Sequence, residues 1–255
     1  MIAALLLGRK GSVGFPGKNV YPLLGRPMAW YPMHAAAGSA AVDRVYVSTD
    51  DEALMGLAGI AGAEVIERPA HLCTKEALGE DAYLHGYQVI CDRLGEVPEL
   101  LVLLFANAPT VASEQITSGI EMLRAHPDFD SAVTVSRYNM WSPLRARRIN
   151  PEGLMQPFVP LSVFGEGLSC DRDSQGDAWF ADVALSVVRP ANLDRLDQGV
   201  LPQRWMGQRI YPIENTPGLD IDYDWQVGQA EAWLRRHGQT EADPAERALF
   251  AQAVG

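Results

Sequence analysis

Leu5-Leu-Leu-Gly-Arg-Lys-Gly-Ser-Val-Gly-Phe-Pro-Gly-Lys-Asn19 is the stretch on which the reading of this chain turns. An apolar run over residues 1–7 leads into it and reads as a buried strand. Glycines at positions 8, 11, 14 and 17 then break the run into a loop. Glycine admits positive φ and lets backbone approach a ligand closely. Successive backbone N–H groups in such a loop form a concavity for anions. Arg9, Lys10 and Lys18 lie in the loop and Arg26 follows shortly, whereas the first acidic residue is Asp43. In a chain of formal net charge −11 this is a local reversal of sign. The loop reads as a polyphosphate site at the end of the first strand, with Gly8, Gly11, Ser12 and Gly14 supplying its backbone. The alternative is a Gly/Pro-rich connection that carries surface cations. A G-x-G-x-x-G fingerprint is excluded because the glycines recur every third residue. A Walker loop is excluded because Gly17-Lys18 is followed by Asn19.

Outward from the loop, short apolar runs alternate with helical ones. Strands are expected at 1–7, 44–50, 63–66, 100–105 and 131–135, and helices at 28–39, 52–62, 79–94 and 113–125 with Ser113 as an N-cap. This alternation predicts an α/β fold with a mostly parallel central sheet covered by helices on both faces. Ligands of such sheets bind beyond the strand C-termini. That rule gathers the glycine loop, residues 48–51 and Asn107 at one place. Between 138 and 180 the pattern is interrupted by Pro143, Pro151, Pro157 and Pro160. The expectation is a single domain over 1–255, with 138–180 as an inserted arm. Alternation resumes at 179–188, a helix ends at Leu234, and a short amphipathic helix is expected at 244–253.

Composition sets bounds. A hydrophobic content of 47% supports a sizeable core, and the acidic balance argues against nucleic acid or an anionic membrane as partner. No run of 18 apolar residues is present, so no membrane span is expected. Residues 1–7 are too short for a signal h-region, and three cysteines without metal-type spacing suit reduced thiols in the cytoplasm. Neither H-E-x-x-H nor G-x-S-x-G occurs.

Asp220 and Asp222 are one residue apart, so in an extended segment both carboxylates face one side. Two such groups together are costly unless a cation or proton intervenes. Mg²⁺ takes one or two carboxylates together with phosphate oxygens. Next to a polyphosphate loop, the pair reads as the metal site of a nucleoside triphosphate. The alternative is an acidic turn that caps the helix starting near Asp224.

Taken together these residues resemble the CMP-sugar synthetases, the acylneuraminate cytidylyltransferases and their keto-deoxyoctulosonate relatives. The family's A-R-x-x-S-K-G-x-P-x-K-N is matched by Arg9, Ser12, Gly14, Pro16, Lys18 and Asn19. Its V-S-T-D-D stands as Val47-Ser-Thr-Asp-Asp51, and its G-A-E-V-x-x-R-P as Gly62-Ala-Glu-Val-Ile-Glu-Arg-Pro69. Its I-D-I-D…A-E stands as Leu219-Asp-Ile-Asp222…Ala230-Glu231. The resemblance covers about residues 1–235 and implies a Rossmann-like nucleotidyltransferase that acts as a homodimer through the 138–180 arm. It implies CTP and Mg²⁺, with acceptor attack on the α-phosphorus and release of pyrophosphate. Arg9, Ser12 and Lys18 would hold the triphosphate, Lys18 would offset charge on the α-phosphoryl group, Asn19 and Arg68 would flank the cytidine, and Asp220 and Asp222 would hold Mg²⁺.

The departures fall mostly on the acceptor side. Val13 replaces a motif lysine, Phe105 a glutamine and Val111 an arginine, and Ala181-Asp-Val-Ala-Leu185 replaces N-G-A-I-Y. The acceptor is therefore expected to be a small acidic molecule: a sugar acid such as a nonulosonate, or a small phosphonate of the kind some relatives use. Arg145, Arg172 and Asp182 are the candidate acceptor contacts, with Arg147 and Arg148 beside them. As alternatives, the arginines are exposed arm or interface residues and Asp182 ends a strand. Two other functions stay open. One is a nucleotide-sugar-dependent glycosyltransferase, although its acidic pair would normally follow a central strand. The other is a non-catalytic nucleotide-binding protein, suggested by Val13.

Overall fold

A computed structural model describes residues 1–11, 14–171 and 173–255; Ser12, Val13 and Arg172 lie outside the described residues. The framework is a seven-stranded sheet in the order β11-β7-β10-β6-β1-β4-β5. Its strands are β1 (Ile2–Leu7), β4 (Arg44–Thr49), β5 (Glu64–Glu67), β6 (Leu100–Phe105), β7 (Ser131–Arg137), β10 (Trp179–Val188) and β11 (Ile210–Glu214). Two small hairpins, β2 (Pro22–Leu23) with β3 (Arg26–Pro27) and β8 (Arg147–Ile149) with β9 (Met155–Pro157), stand apart from it. The β1–β4, β1–β6, β4–β5 and β7–β11 pairs are parallel, and β10 runs antiparallel to both of its neighbours.

Every residue of β1 is buried. Alternate side chains of a strand point to opposite faces. Ile2, Ala4 and Leu6 accordingly join one core cluster, and Ala3, Leu5 and Leu7 the other. The first core includes residues of α1 (Trp30–Gly38), α2 (Glu52–Ala61) and α4 (Ser113–Ala125), the second those of α3 (Gly79–Leu94). A third cluster packs Leu219 and Ile221 against Leu23, Met28 and Trp233 of α6 (Val227–Arg236). It thereby seats the late acidic segment beside the N-terminal hairpin. The short α5 (Pro190–Asp194) follows β10, and α7 (Pro244–Val254) closes over α2 with Gly56 facing Ala253. No helix among the described residues is long and apolar enough to cross a membrane.

Three local features differ from expectation or were not foreseen. Ser113 is the first residue of α4 rather than its cap: its hydroxyl donates to Ala35 O at 2.9 Å, and Gln115 Oε1 takes the Ala112 N–H at 3.0 Å. The side chain tethers α4 to α1 instead of closing the helix end. β11 is an additional edge strand, a position that tolerates its internal Pro212. β10 carries a register shift between Ala181 and Ser186, with Val183 at φ 52°. Between β7 and β10 the described residues leave the sheet as an irregular arm around β8 and β9, with Ile149, Met155, Phe158 and Val163 61–75% exposed on it, while Trp179 and Phe180 already pair with β7.

Candidate nucleotide site

A cleft of about 240 Å³ opens where β1, β5 and β6 end. Gly8, Arg9, Lys18, Asn19, Arg68 and Asn107 all line it, along with Leu78, Gly79 and Phe105. Six residues singled out from separate parts of the sequence thus share one cavity. The chain leaves β1 at Gly8, whose N–H donates to Ser48 O at 3.2 Å. A Cβ at Gly8 would collide with Leu54 and Ala106, so only glycine lets the loop depart here. Gly17 lies in the left-handed region at φ 73° and starts the 3₁₀ turn Lys18–Val20. That turn buries Asn19, whose amide donates to Arg9 O at 3.1 Å and ties the two ends of the loop together.

Two of the three cations here, Arg9 and Arg68, pair with no carboxylate among the described residues. Arg9 donates only to backbone carbonyls, those of Lys10 and Gly11. Arg68 is 6% exposed and spends its donors on Ser48, through Nε to Oγ at 3.2 Å and Nη2 to O at 2.5 Å. Among the described residues no carboxylate pairs with it, and burial pulls its pKa down. A buried guanidinium in a pocket wall calls for an electron-rich partner.

The acidic segment does not line this cleft but is joined to two of its lining residues, Asn107 and Lys18. Residues 218–222 belong to no strand, and hydrogen bonds to Thr110 and Asn107 hold them in place. Thr110 Oγ1 donates to Leu219 O at 3.0 Å and accepts from Leu219 N at 2.9 Å. Asn107 Nδ2 donates to Ile221 O at 3.0 Å, and Ile221 N donates to Asn107 O at 2.8 Å. With Leu219 and Ile221 turned into the third cluster, Asp220 and Asp222 share the other side, as the one-residue spacing requires. The Lys18 ammonium meets Asp222 Oδ1 at 2.6 Å, which joins the basic loop to the acidic segment. Gly14 rests on the same segment; a Cβ there would stand 2.9 Å from Asp222 O. The pKa of Asp220 is raised to about 6, first by burial and then by Asp222, against a smaller lowering by Lys18. The helix-cap role falls elsewhere: Gln226 Oε1 accepts from Asp222 N and Tyr223 N at 2.7 and 2.8 Å. Two adjacent carboxylates, one of them partly buried, are an arrangement that a proton or a hard cation relieves.

Neither Arg145 nor Asp182 lines this cleft. Asp182 is turned into the core and accepts from Thr134 Oγ1 (2.6 Å), Ser136 Oγ (2.7 Å), Asn215 Nδ2 (3.1 Å) and Ala184 N (3.1 Å). Four donors occupy its lone pairs, so this carboxylate is committed to the core rather than open to a ligand. Arg145 lines a separate cleft at the base of the arm with Arg137, Tyr138 and Thr216, and its Nε donates to Gln175 Oε1 at 3.1 Å. Gly11 is exposed at φ 80° and does not line the nucleotide cleft. Ser12 and Arg172 lie outside the described residues.

A second cavity of about 490 Å³ shares Leu78, Gly79 and Phe105 with the first and adds Glu80, Leu201, Arg204 and Trp205. Phe105, Tyr83 and Trp205 form an aromatic cluster with centroid separations of 5.3–6.1 Å. Sequence reasoning missed Trp205, because its 3₁₀ turn Arg204–Met206 has no periodic signal. It also missed Thr110, which stands within a motif that was noticed for other residues.

The family profile described as cytidylyltransferase matches residues 3–138. N-acylneuraminate cytidylyltransferase of Oncorhynchus mykiss is 26% identical over 249 residues, covering 96% of this chain and 53% of that protein. The enzyme of the same name from Escherichia coli O18:K1:H7 is 28% identical over 138 residues, 54% of this chain and 32% of its own. The chain spans about half or less of the length of these curated relatives. The solved structure of CMP:2-keto-3-deoxy-manno-octonic acid synthetase complexed with CTP superposes with a TM-score of 0.62 at 15% identity, over 92% of this chain and 99% of the other. The 4-diphosphocytidyl-2C-methyl-D-erythritol synthase of Anaerococcus prevotii superposes with a TM-score of 0.60 at 13% identity, over 92% and 98%. At these identities the two structures establish the shared Rossmann-like fold.

Proposed function

Because the chain belongs to the cytidylyltransferase family, we propose that it transfers CMP from CTP to a small acidic acceptor and releases pyrophosphate. The observation that carries this reading is the 2.6 Å contact of Asp222 with Lys18, a lining residue of the cleft that also holds Arg9 and Arg68. A triphosphate needs cations on one side, and its accompanying metal needs carboxylates on the other. Arg9 and Lys18 bind and orient the triphosphate, while Asn19 and the buried Arg68 flank the nucleoside. Lys18 exchanges Asp222 for the phosphate as CTP enters, which places its charge where negative charge develops at the α-phosphorus. An acceptor oxygen attacks that phosphorus in line and pyrophosphate leaves. Asp220 and Asp222 fit Mg²⁺, since a partly buried carboxylate beside a second one forms an oxygen pair that a hard cation relieves once Lys18 turns to the phosphate. When bound, Mg²⁺ neutralises phosphate charge.

The acceptor enters from the cavity beyond Phe105. Three of the relatives named above carry a sugar acid in their names, neuraminate or keto-deoxyoctonic acid, and a sugar acid is the first reading for this chain. A small phosphonate is the second, favoured by the apolar wall of Phe105 and Trp205 beside Arg204, which has no acidic partner among the described residues. The exposed apolar side chains of the arm cover one another in a homodimer. Free Cys73, Cys91 and Cys170 suit a reducing cytoplasm.

Pyrophosphate release with Mg²⁺, each of the four nucleoside triphosphates and either sugar acids or small phosphonates tests the proposal. Release with CTP and one acceptor pool is expected. Turnover of a nucleotide sugar instead would support a glycosyltransferase, and CTP binding without turnover of any acceptor would support a non-catalytic protein.

A further inference from the structure

We propose that Asp182 is a positioning residue for the acidic pair, acting through Ser136 and Asn215 on the segment that carries Asp220 and Asp222. This rests on the reading that the pair holds the divalent cation of the nucleotide.

Asp182 is 6% exposed, and its carboxylate meets only neutral donors among the described residues. A buried carboxylate without a cation is costly to keep. The backbone beside it is costly as well. Val183 sits at φ 52°, a region that a β-branched residue rarely occupies, and the register of β10 against β7 shifts there. Both features turn one carboxylate inward.

What that carboxylate does is orient hydroxyls and an amide. An ionised carboxylate only accepts, so the Ser136 hydroxyl must point its proton at Asp182 Oδ2. Its lone pair is then left for the Gly218 N–H, which donates to it at 2.9 Å. Asn215 is fixed in the same way. Its Nδ2 donates to Asp182 Oδ2 and to Thr110 O, so its Oδ1 faces Trp233 Nε1 at 3.1 Å. Gly218 lies so close that a Cβ would collide with both Asp182 and Asn215. From Gly218 the chain passes directly to the Thr110 and Asn107 contacts that hold Leu219 and Ile221. Asp182 therefore sets the start of the acidic segment without facing the nucleotide cleft. The Thr134 branch provides an internal control: Thr134 Oγ1 also donates to Asp182, but it accepts from Leu185 N rather than from the acidic segment.

The test compares Asp182→Asn, Ser136→Ala and Thr134→Val. An amide at 182 can donate toward Ser136 and reverse its hydroxyl, whereas Ser136→Ala removes the link to Gly218 and keeps the carboxylate. Mn²⁺ binding to the protein–CTP complex is followed by electron paramagnetic resonance, metal-free CTP binding by calorimetry, and amide hydrogen exchange is read at 218–222. Asp182→Asn and Ser136→Ala are expected to weaken Mn²⁺ binding about 10-fold, to leave metal-free CTP affinity within about two-fold, and to speed exchange at 218–222. Thr134→Val is expected to lower the thermal midpoint without either change. Unaltered exchange at 218–222 in both Asp182→Asn and Ser136→Ala would overturn the role of Asp182. An unmodified protein that binds CTP but no Mn²⁺ would instead overturn the reading of the acidic pair.

Discussion

Replacing Asp220 by asparagine should make the ligand-free protein more stable at neutral pH, and the size of the effect follows from its surroundings. Burial and Asp222 raise the Asp220 pKa from 3.8 to about 6. At ~1.4 kcal/mol per unit this corresponds to about 3 kcal/mol against the charged form. Below pH 3.8 the group is protonated in both folded and unfolded chains and contributes nothing. As pH rises toward 6, the unfolded chain has released a proton that the folded protein retains, so stability falls. Above pH 6 the whole cost is present. Asparagine carries no such cost. At pH 7.5 the variant should therefore exceed the unmodified protein by up to about 3 kcal/mol, or roughly 6–12 °C in melting midpoint for a domain of this size. The gap should close progressively below pH 6. Differential scanning fluorimetry at several pH values, with and without Mg²⁺ and CTP, measures it. The unmodified protein should gain midpoint from Mg²⁺ at pH 7.5 and much less at pH 5, while the variant gains little at either. A variant no more stable than its parent at pH 7.5, or a gap independent of pH, would refute the account of Asp220.

Other expectations concern function and assembly. Lys18→Ala should lower kcat about 10²-fold or more, the usual loss for a charge-stabilising donor. A near-normal rate in steady-state pyrophosphate release would remove Lys18 from its role. Phe105→Gln breaks its packing on Tyr83 and Trp205 and should cost roughly 2 kcal/mol or more in urea unfolding. It should also shift relative kcat/KM toward polyhydroxylated sugar acids, and an unchanged ratio would detach Phe105 from acceptor choice. Met155→Lys, at a position 75% exposed on the arm, should convert a dimer to a monomer in sedimentation velocity. An unaltered sedimentation coefficient would move the interface elsewhere.

Much of the framework was legible from local pattern. The runs that became β1 and β6 are continuous apolar stretches bounded by glycine or by Ala106-Asn-Ala-Pro109, and such runs are buried on both faces wherever they lie. The glycine loop was readable because its backbone needs are local, and Asp220 and Asp222 because their spacing alone puts them on one side. β11 was not readable, since Pro212 and Glu214 break the apolar run and only its place at the sheet edge makes them tolerable. Ser113 misled because the same hydroxyl suits a cap or a neighbouring carbonyl, and α1 packed alongside decides which.

The chain's residue order thus determined which groups could serve a nucleotide: a basic glycine loop, an arginine after β5 and a late pair of carboxylates. Tertiary structure alone decided that they meet. Lys18 and Asp222 are 204 positions apart and touch because Leu219 and Ile221 must bury themselves against the first hairpin and α6. The inward turn of Asp182 likewise depends on a strand shift against β7, a contact that no spacing along the chain encodes. Local propensity acts over a few residues, whereas the geometry of this site comes from burying apolar surface between segments that are distant in sequence.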